Sequence, residues 1–169
     1  MHFIVGETLV YPHHGAVTVT EVSNVTIKGE VKRVMTLNVH ATPLTIKLPI
    51  DNAELVGIRD VMDAEGLEAV YAVLRDPFTE EASNWSRRYK ANQEKMASDS
   101  VVRIAEVVRD LWRRERDSGV SAGEKRMLAK SRQLLESELA LALAVTPEGA
   151  GLALDEVLAS AESVPVPVQ

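Results

Sequence analysis

The chain has 169 residues, 46% hydrophobic and 26% charged, with 9 Gly and 7 Pro, a composition that excludes disorder and collagen-like repeats and suits one or two small folded domains. It contains no Cys, which rules out a disulfide framework, a thiolate zinc site and a cysteine nucleophile. The net charge of −6 conceals three unlike blocks: residues 1–83 hold 6 Lys/Arg against 12 Asp/Glu, residues 84–132 hold 13 against 7, and residues 133–169 hold none against 6. A basic island therefore lies inside an acidic chain, and a polyanion responds to such a local field more than to the net charge.

The start, "MHFIVGETLVYPHHG", lacks a basic leader and a long apolar run, and no stretch approaches the roughly 18 apolar residues of a membrane span. A cytoplasmic location with no membrane contact is expected. From residue 3 to about 50 the texture is β. "AVTVTEV" and "LTIKLP" alternate with period two, "RVMTLNV" is rich in branched and bulky residues, and breaks fall at Gly6, "YPHHG", "IKGE" and "ATP". Four or five short antiparallel strands of this size are most economically closed as a Tudor-like or SH3-like barrel.

The period then becomes helical. A helix is predicted over about 64–75, with Leu67, Val70, Tyr71 and Leu74 on one face, Asp63 as cap and Pro77 beyond its end. A second is predicted over about 84–97 and a third over about 99–117, the latter lining up Val101, Ala105, Val108 and Trp112. Ser121 and Glu124 form a capping-box pattern opening a long helix to about 144. Thr146 and Pro147 open a last helix that buries Ala150, Ala153, Leu154, Val157, Leu158 and Ala161. The fold class is α+β in two domains, a β module over 1–55 and an all-α bundle of about five helices over 64–162. Residues 56–63 are read as a short connector and 163–169 as a disordered tail.

Trp85 stands in "NWSRRYK", among an amide, a hydroxyl, cations and Tyr89. Helical spacing puts Trp85, Tyr89, Asn92 and Met96 on one face, and spacing alone favours reading it as the face packed on the neighbouring helices. Against that stands its place in a first turn, beside the acidic stretch "TEEASN", from which a side chain often escapes the bundle. Trp112, mid-helix on a continuous apolar stripe, is assigned to the core. Arg113, Arg114 and Arg116 sit where a helix C-terminus welcomes cations, so they are read as structural. Arg87, Arg88 and Lys90, and Lys125 and Arg126, follow helix N-termini, where the dipole mildly disfavours cations, and this placement hints at an anionic partner. With Lys130 they form the candidate phosphate-binding set, which the family resemblance below reads as DNA-binding. His13 and His14 make a poor chelate and are read as turn or surface residues. No phosphate loop, nucleophile elbow or paired acidic site occurs, so neither an enzyme nor a cofactor or metal is expected.

Taken in order, "VGETLVYPHHGA", "TIKGE", "LTIKLPIDNAELVGIRDV", "EGLEAVYAVL", "NWSRRYKANQEKMAS", "AEVVRDLWRRERDSGVSAGEKRMLAKSRQLL" and "LDEVLA" resemble the actinobacterial CarD proteins, RNA polymerase-binding transcription regulators, over residues 1 to about 161. The resemblance implies a Tudor-like N-terminal domain docking on the polymerase β subunit, akin to the polymerase-binding module of transcription-repair coupling factor. It further implies a helical domain at the upstream edge of the promoter bubble, where Trp85 wedges into the minor groove. Arg87, Lys90 and Lys125 match residues that touch DNA without base readout. On the polymerase-facing surface Ile27 matches, whereas Val25 and Lys47 stand where the mycobacterial pattern has arginines; Lys47 keeps the charge but loses the bidentate fork. A monomer contacting polymerase and promoter DNA is expected. The competing reading is a protein–protein adaptor whose basic helical face binds an acidic partner.

Overall fold

The computed structural model describes residues 2–40, 42–77 and 84–161. The chain divides into two compact units, Met1–Val61 and Met62–Gln169. The expected tail at 163–169 and the acidic residues 79–83 lie outside the described residues.

The first unit is a five-stranded antiparallel sheet in the order β4-β3-β2-β1-β5. Its strands are β1 (Thr8–Tyr11), β2 (Gly15–Ile27), β3 (Glu30–Val39), β4 (Thr45–Pro49) and β5 (Arg59–Asp60). The β2–β3 hairpin is set by Lys28 (φ 52) and Gly29 (φ 80). Two successive positive φ values make the tight turn whose twist matches paired strands, and they lock Ile27 opposite Glu30. A register shift between Val19 and Glu21 is a β-bulge, which bends β2 and lets one long strand serve both halves of a curled sheet. Alternation sends Leu9, Val17, Val19, Met35, Leu37, Val39 and Leu48 to one face, where they form the core with Ala53 and Ile58.

The expected connector at 56–63 is corrected by the structure. After a 3-10 turn at Ile50–Asn52 and the short α1 (Ala53–Val56), Gly57 adopts φ 88 and its N–H reaches the Ala53 and Glu54 carbonyls, both at 3.1 Å. This left-handed stop, which suits glycine, turns the chain so that Ile58 enters the β core. Arg59 and Asp60 then pair with Val10 and Leu9 of β1. The β unit therefore runs to Val61, because the segment contributes both a core residue and an edge strand.

The second unit contains α2 (Ala64–Arg75), α3 (Trp85–Ala97), α4 (Val101–Asp117), α5 (Ala122–Leu143) and α6 (Pro147–Ser160). Each begins on a side-chain cap: Asp63, Asn84, Ser100, Ser121 and Thr146. These caps satisfy N–H groups that the helix leaves without partners. Leu74, Val107, Val108, Leu111, Leu135, Leu139, Leu154 and Leu158 form the centre of one apolar core. Trp112 is half-buried against it and carries the Arg116 guanidinium 5.1 Å from its ring centroid. Arg109 and Arg113 donate to the Val73 and Leu74 carbonyls at the end of α2, a structural use of cations at a helix C-terminus. Among the described residues no helix is long and apolar enough to cross a membrane.

Candidate nucleic-acid interface

The beginnings of α3 and α5 are joined through one carboxylate. At the α5 start, Ser121 Oγ accepts from the Glu124 N–H at 3.2 Å, and the Ser121 N–H donates to Glu124 Oε1 at 3.4 Å, completing the capping box. Glu124 is only 1% exposed, and its oxygens do more than cap. Oε1 also accepts from the Ser121 hydroxyl at 3.1 Å and from the Trp85 indole N–H at 3.0 Å, while Oε2 accepts from Arg88 Nε at 3.2 Å. Burial pushes the Glu124 carboxyl up, but the hydrogen bond and charge of Arg88 and the bonds from Ser121 outweigh it and hold the group below its ordinary value. The carboxylate is thus ionised at neutral pH.

Trp85 opens α3, with Asn84 as N-cap accepting from the Ser86 and Arg87 N–H groups. The indole is 48% exposed. Its N–H is shared between Glu124 and Ser121 Oγ, the latter at 3.3 Å, and one face stacks on Tyr89, with centroids 5.2 Å apart and planes inclined by 16°. Down the same face Asn92 is buried and Met96 packs on the core. The shared helical face expected for Trp85, Tyr89, Asn92 and Met96 is therefore the packed one, and Trp85 is its open end.

The predicted cations part company. Arg88 is corrected: it is 8% exposed and ion-paired with Glu124, so it faces inward and does not stand with the exposed cations. Three residues after Trp85 and four before Asn92, it shares their side of the helix. Arg87 and Lys90 on α3, and Lys125, Arg126 and Lys130 on α5, are exposed. They make no ion pair among the described residues. Elsewhere in the basic island, Lys95 pairs with Glu106 at 2.9 Å, and Arg132 with Glu136 and Asp155 at 2.7 and 2.6 Å. Sequence reasoning missed two contributors: Glu124, recognised only as a cap, and the stacking of Tyr89, whose spacing four residues from Trp85 was the available signal.

In the β unit, the register places Val25 opposite Lys32, Ile27 opposite Glu30, and Lys47 opposite Thr36, itself opposite Glu21. With side chains alternating along each strand, Val25, Ile27 and Lys47 share the sheet face opposite the Met35–Leu37 core. Val25 and Ile27 are 41% and 37% exposed and Lys47 is exposed. His13 and His14 lie in the turn between β1 and β2. Among the described residues no group of three or more His, Cys, Asp or Glu could hold a metal ion.

Both the β-sheet unit and the helical unit match known protein families. Residues 3–62 match the CarD-like/TRCF RID domain, which makes this a protein of the class built on that module. Residues 69–155, more than half of the chain, match the CarD C-terminal domain. The chain belongs to the CarD family of transcription factors. It is 28% identical over 144 residues to the Bacillus subtilis (strain 168) protein named "Putative transcription factor YdeB", covering 85% of this chain and 94% of that one. A solution NMR structure of the 72-residue N-terminal domain of Myxococcus xanthus CarD is also similar, with 20% identity and a TM-score of 0.31 over 35% of this chain and 79% of that one.

Proposed function

We propose that the β unit docks on the β subunit of RNA polymerase and that the helical unit stabilises the promoter open complex, with Trp85 wedged into the minor groove at the upstream edge of the bubble. The observation that carries this reading is the half-exposed indole of Trp85, held at a helix start whose neighbours Arg87 and Lys90 are exposed, beside the α5 start bearing Lys125. Arg126 and Lys130 extend the same set of cations along α5. Contacts of this kind neutralise phosphates without reading base edges.

Magnitudes explain the need for two units. Unstacking a base step costs a few kcal/mol, and stacking an aromatic ring on a base returns roughly 1–3 kcal/mol, so the wedge alone about breaks even. Non-specific phosphate contacts give dissociation constants of only about 10⁻⁴ to 10⁻⁶ M. Docking through Val25, Ile27 and Lys47 on polymerase raises the local concentration at the fork toward about millimolar, which makes a marginal wedge effective. The activity is one of binding, with no bond made or broken and no cofactor.

A ligand shifts an equilibrium only by its difference in affinity for the two states. A preference of about 1–2 kcal/mol for the open promoter multiplies its stability by roughly 5–30. Trp85→Ala is therefore expected to remove about that factor from the open-complex lifetime, measured after competitor challenge, with polymerase capture intact. An unchanged lifetime with capture retained overturns the reading.

A further inference from the structure

Resting on the reading of Trp85 as the DNA wedge, we propose that Glu124 is its positioning residue: one buried carboxylate ties the indole N–H, the α5 start and Arg88 together and aims the ring before DNA arrives. The bonds are those from Trp85 Nε1 at 3.0 Å, from the Ser121 N–H and hydroxyl at 3.4 and 3.1 Å, and from Arg88 Nε at 3.2 Å.

A helix cap alone does not require this arrangement. A capping-box glutamate reaches back to one N–H and can do so from solvent, yet Glu124 is sequestered and its second oxygen is committed to another helix. A buried charge is tolerated only when paired and hydrogen-bonded, and breaking such a pair is costly. The carboxylate therefore holds the two helix starts in one geometry, and the indole is part of that geometry. The ring is fixed from a second side by Tyr89. Tyr89 lies against the first turn of α5, where a Cβ on Gly123 would stand 3.6 Å from its ring edge. A tryptophan bonded at its N–H and stacked on one face has little rotamer freedom left to lose on entering DNA. Its N–H is also already spent inside the protein, so the ring meets the opened step through shape and stacking, not by donating to a base acceptor.

The test uses the full-length chain. In a Trp112→Phe background Trp85 is the remaining tryptophan of the two, and its fluorescence anisotropy decay reports ring motion directly. Glu124→Ala is expected to add fast local motion to that decay and to shorten the open-complex lifetime about two- to tenfold, equivalent to about 0.5–1.5 kcal/mol of side-chain ordering. Glu124→Gln keeps an acceptor for the indole and a capping-box side chain, and it is expected to recover part of both losses. In a Trp85→Ala background, Glu124→Ala is expected to cost clearly less lifetime than in the wild-type background, since the positioning effect is lost with the ring and only the effect on the two helix starts is left. Equal losses in both backgrounds, or a decay and lifetime unchanged by Glu124→Ala, would overturn the assignment. If Trp85→Ala itself leaves the lifetime unchanged, the wedge reading fails, and the anisotropy decay still decides whether Glu124 holds the ring.

Discussion

Helices α3 and α4 are neighbours held in opposite ways. The buried residues of α4 are mostly apolar, with Ile104, Ala105, Val107, Val108 and Leu111 adhering through area removed from water and the Arg109–Asp110 pair beside them. Those of α3 are Arg88 and Asn92, so its attachment depends on directional bonds to Glu124, an ion pair between Lys95 and Glu106, and the contact of Met96 with the core. Apolar packing gives stability with loose angular demands, whereas hydrogen bonds to a buried charge demand a particular geometry. On the proposed reading of Trp85, the helix that presents the wedge is the one fastened by direction.

The sharpest break in this contrast comes from the apolar side. Leu111→Ala, at a fully buried position, is expected to cost about 4 kcal/mol of global stability in denaturant unfolding. Arg88→Met removes one partner of the buried pair and is expected to cost about 3 kcal/mol, with hydrogen exchange rising first at the starts of α3 and α5. Acid should reproduce part of that loss. Because Glu124 titrates below its ordinary value in the folded protein, its contribution is complete above the ordinary glutamate range and is lost as pH falls through the folded value. The Trp85 emission should therefore hold steady from neutral pH through the ordinary range and change only beneath it, and in Arg88→Met the change should move to higher pH. The smallest effect is a gain. Gly123→Ala places a methyl in ordinary contact with Tyr89 and should raise the unfolding midpoint by the equivalent of about 0.5–1 kcal/mol, as a helical glycine replaced by alanine does.

Helix starts were legible because their signals are local: Asp63, the Ser121/Glu124 pair, and Thr146 before Pro147 all cap as their spacing predicts. Strand positions followed from alternation for the same reason. The two-residue β5 was not legible, since two residues are too short to show a period; only Gly57, as a left-handed stop, could have hinted that the chain turns back onto the sheet. Arg88 was misplaced because adjacent cations look alike in sequence, and only the phase of the helix separates the inward one from Arg87 and Lys90. Glu124 was half legible: its spacing from Ser121 announced the cap, but its partners Trp85 and Arg88 lie more than thirty residues away, beyond the reach of local patterns. The exposed end of an otherwise packed face, occupied by Trp85, needed the three-dimensional neighbours before it could be distinguished from core.

The inward turn of Arg88 also changes what salt would reveal. Counting cations over residues 84–132 gives 13, but guanidinium and ammonium groups already matched to carboxylates displace no condensed counterions from DNA. If the proposed DNA contacts form, those left to do so among the predicted set are Arg87, Lys90, Lys125, Arg126 and Lys130. Each phosphate neutralised on duplex DNA steepens the logarithmic salt dependence by about 0.9, so the tilt of that line measures how much of the basic island faces outward.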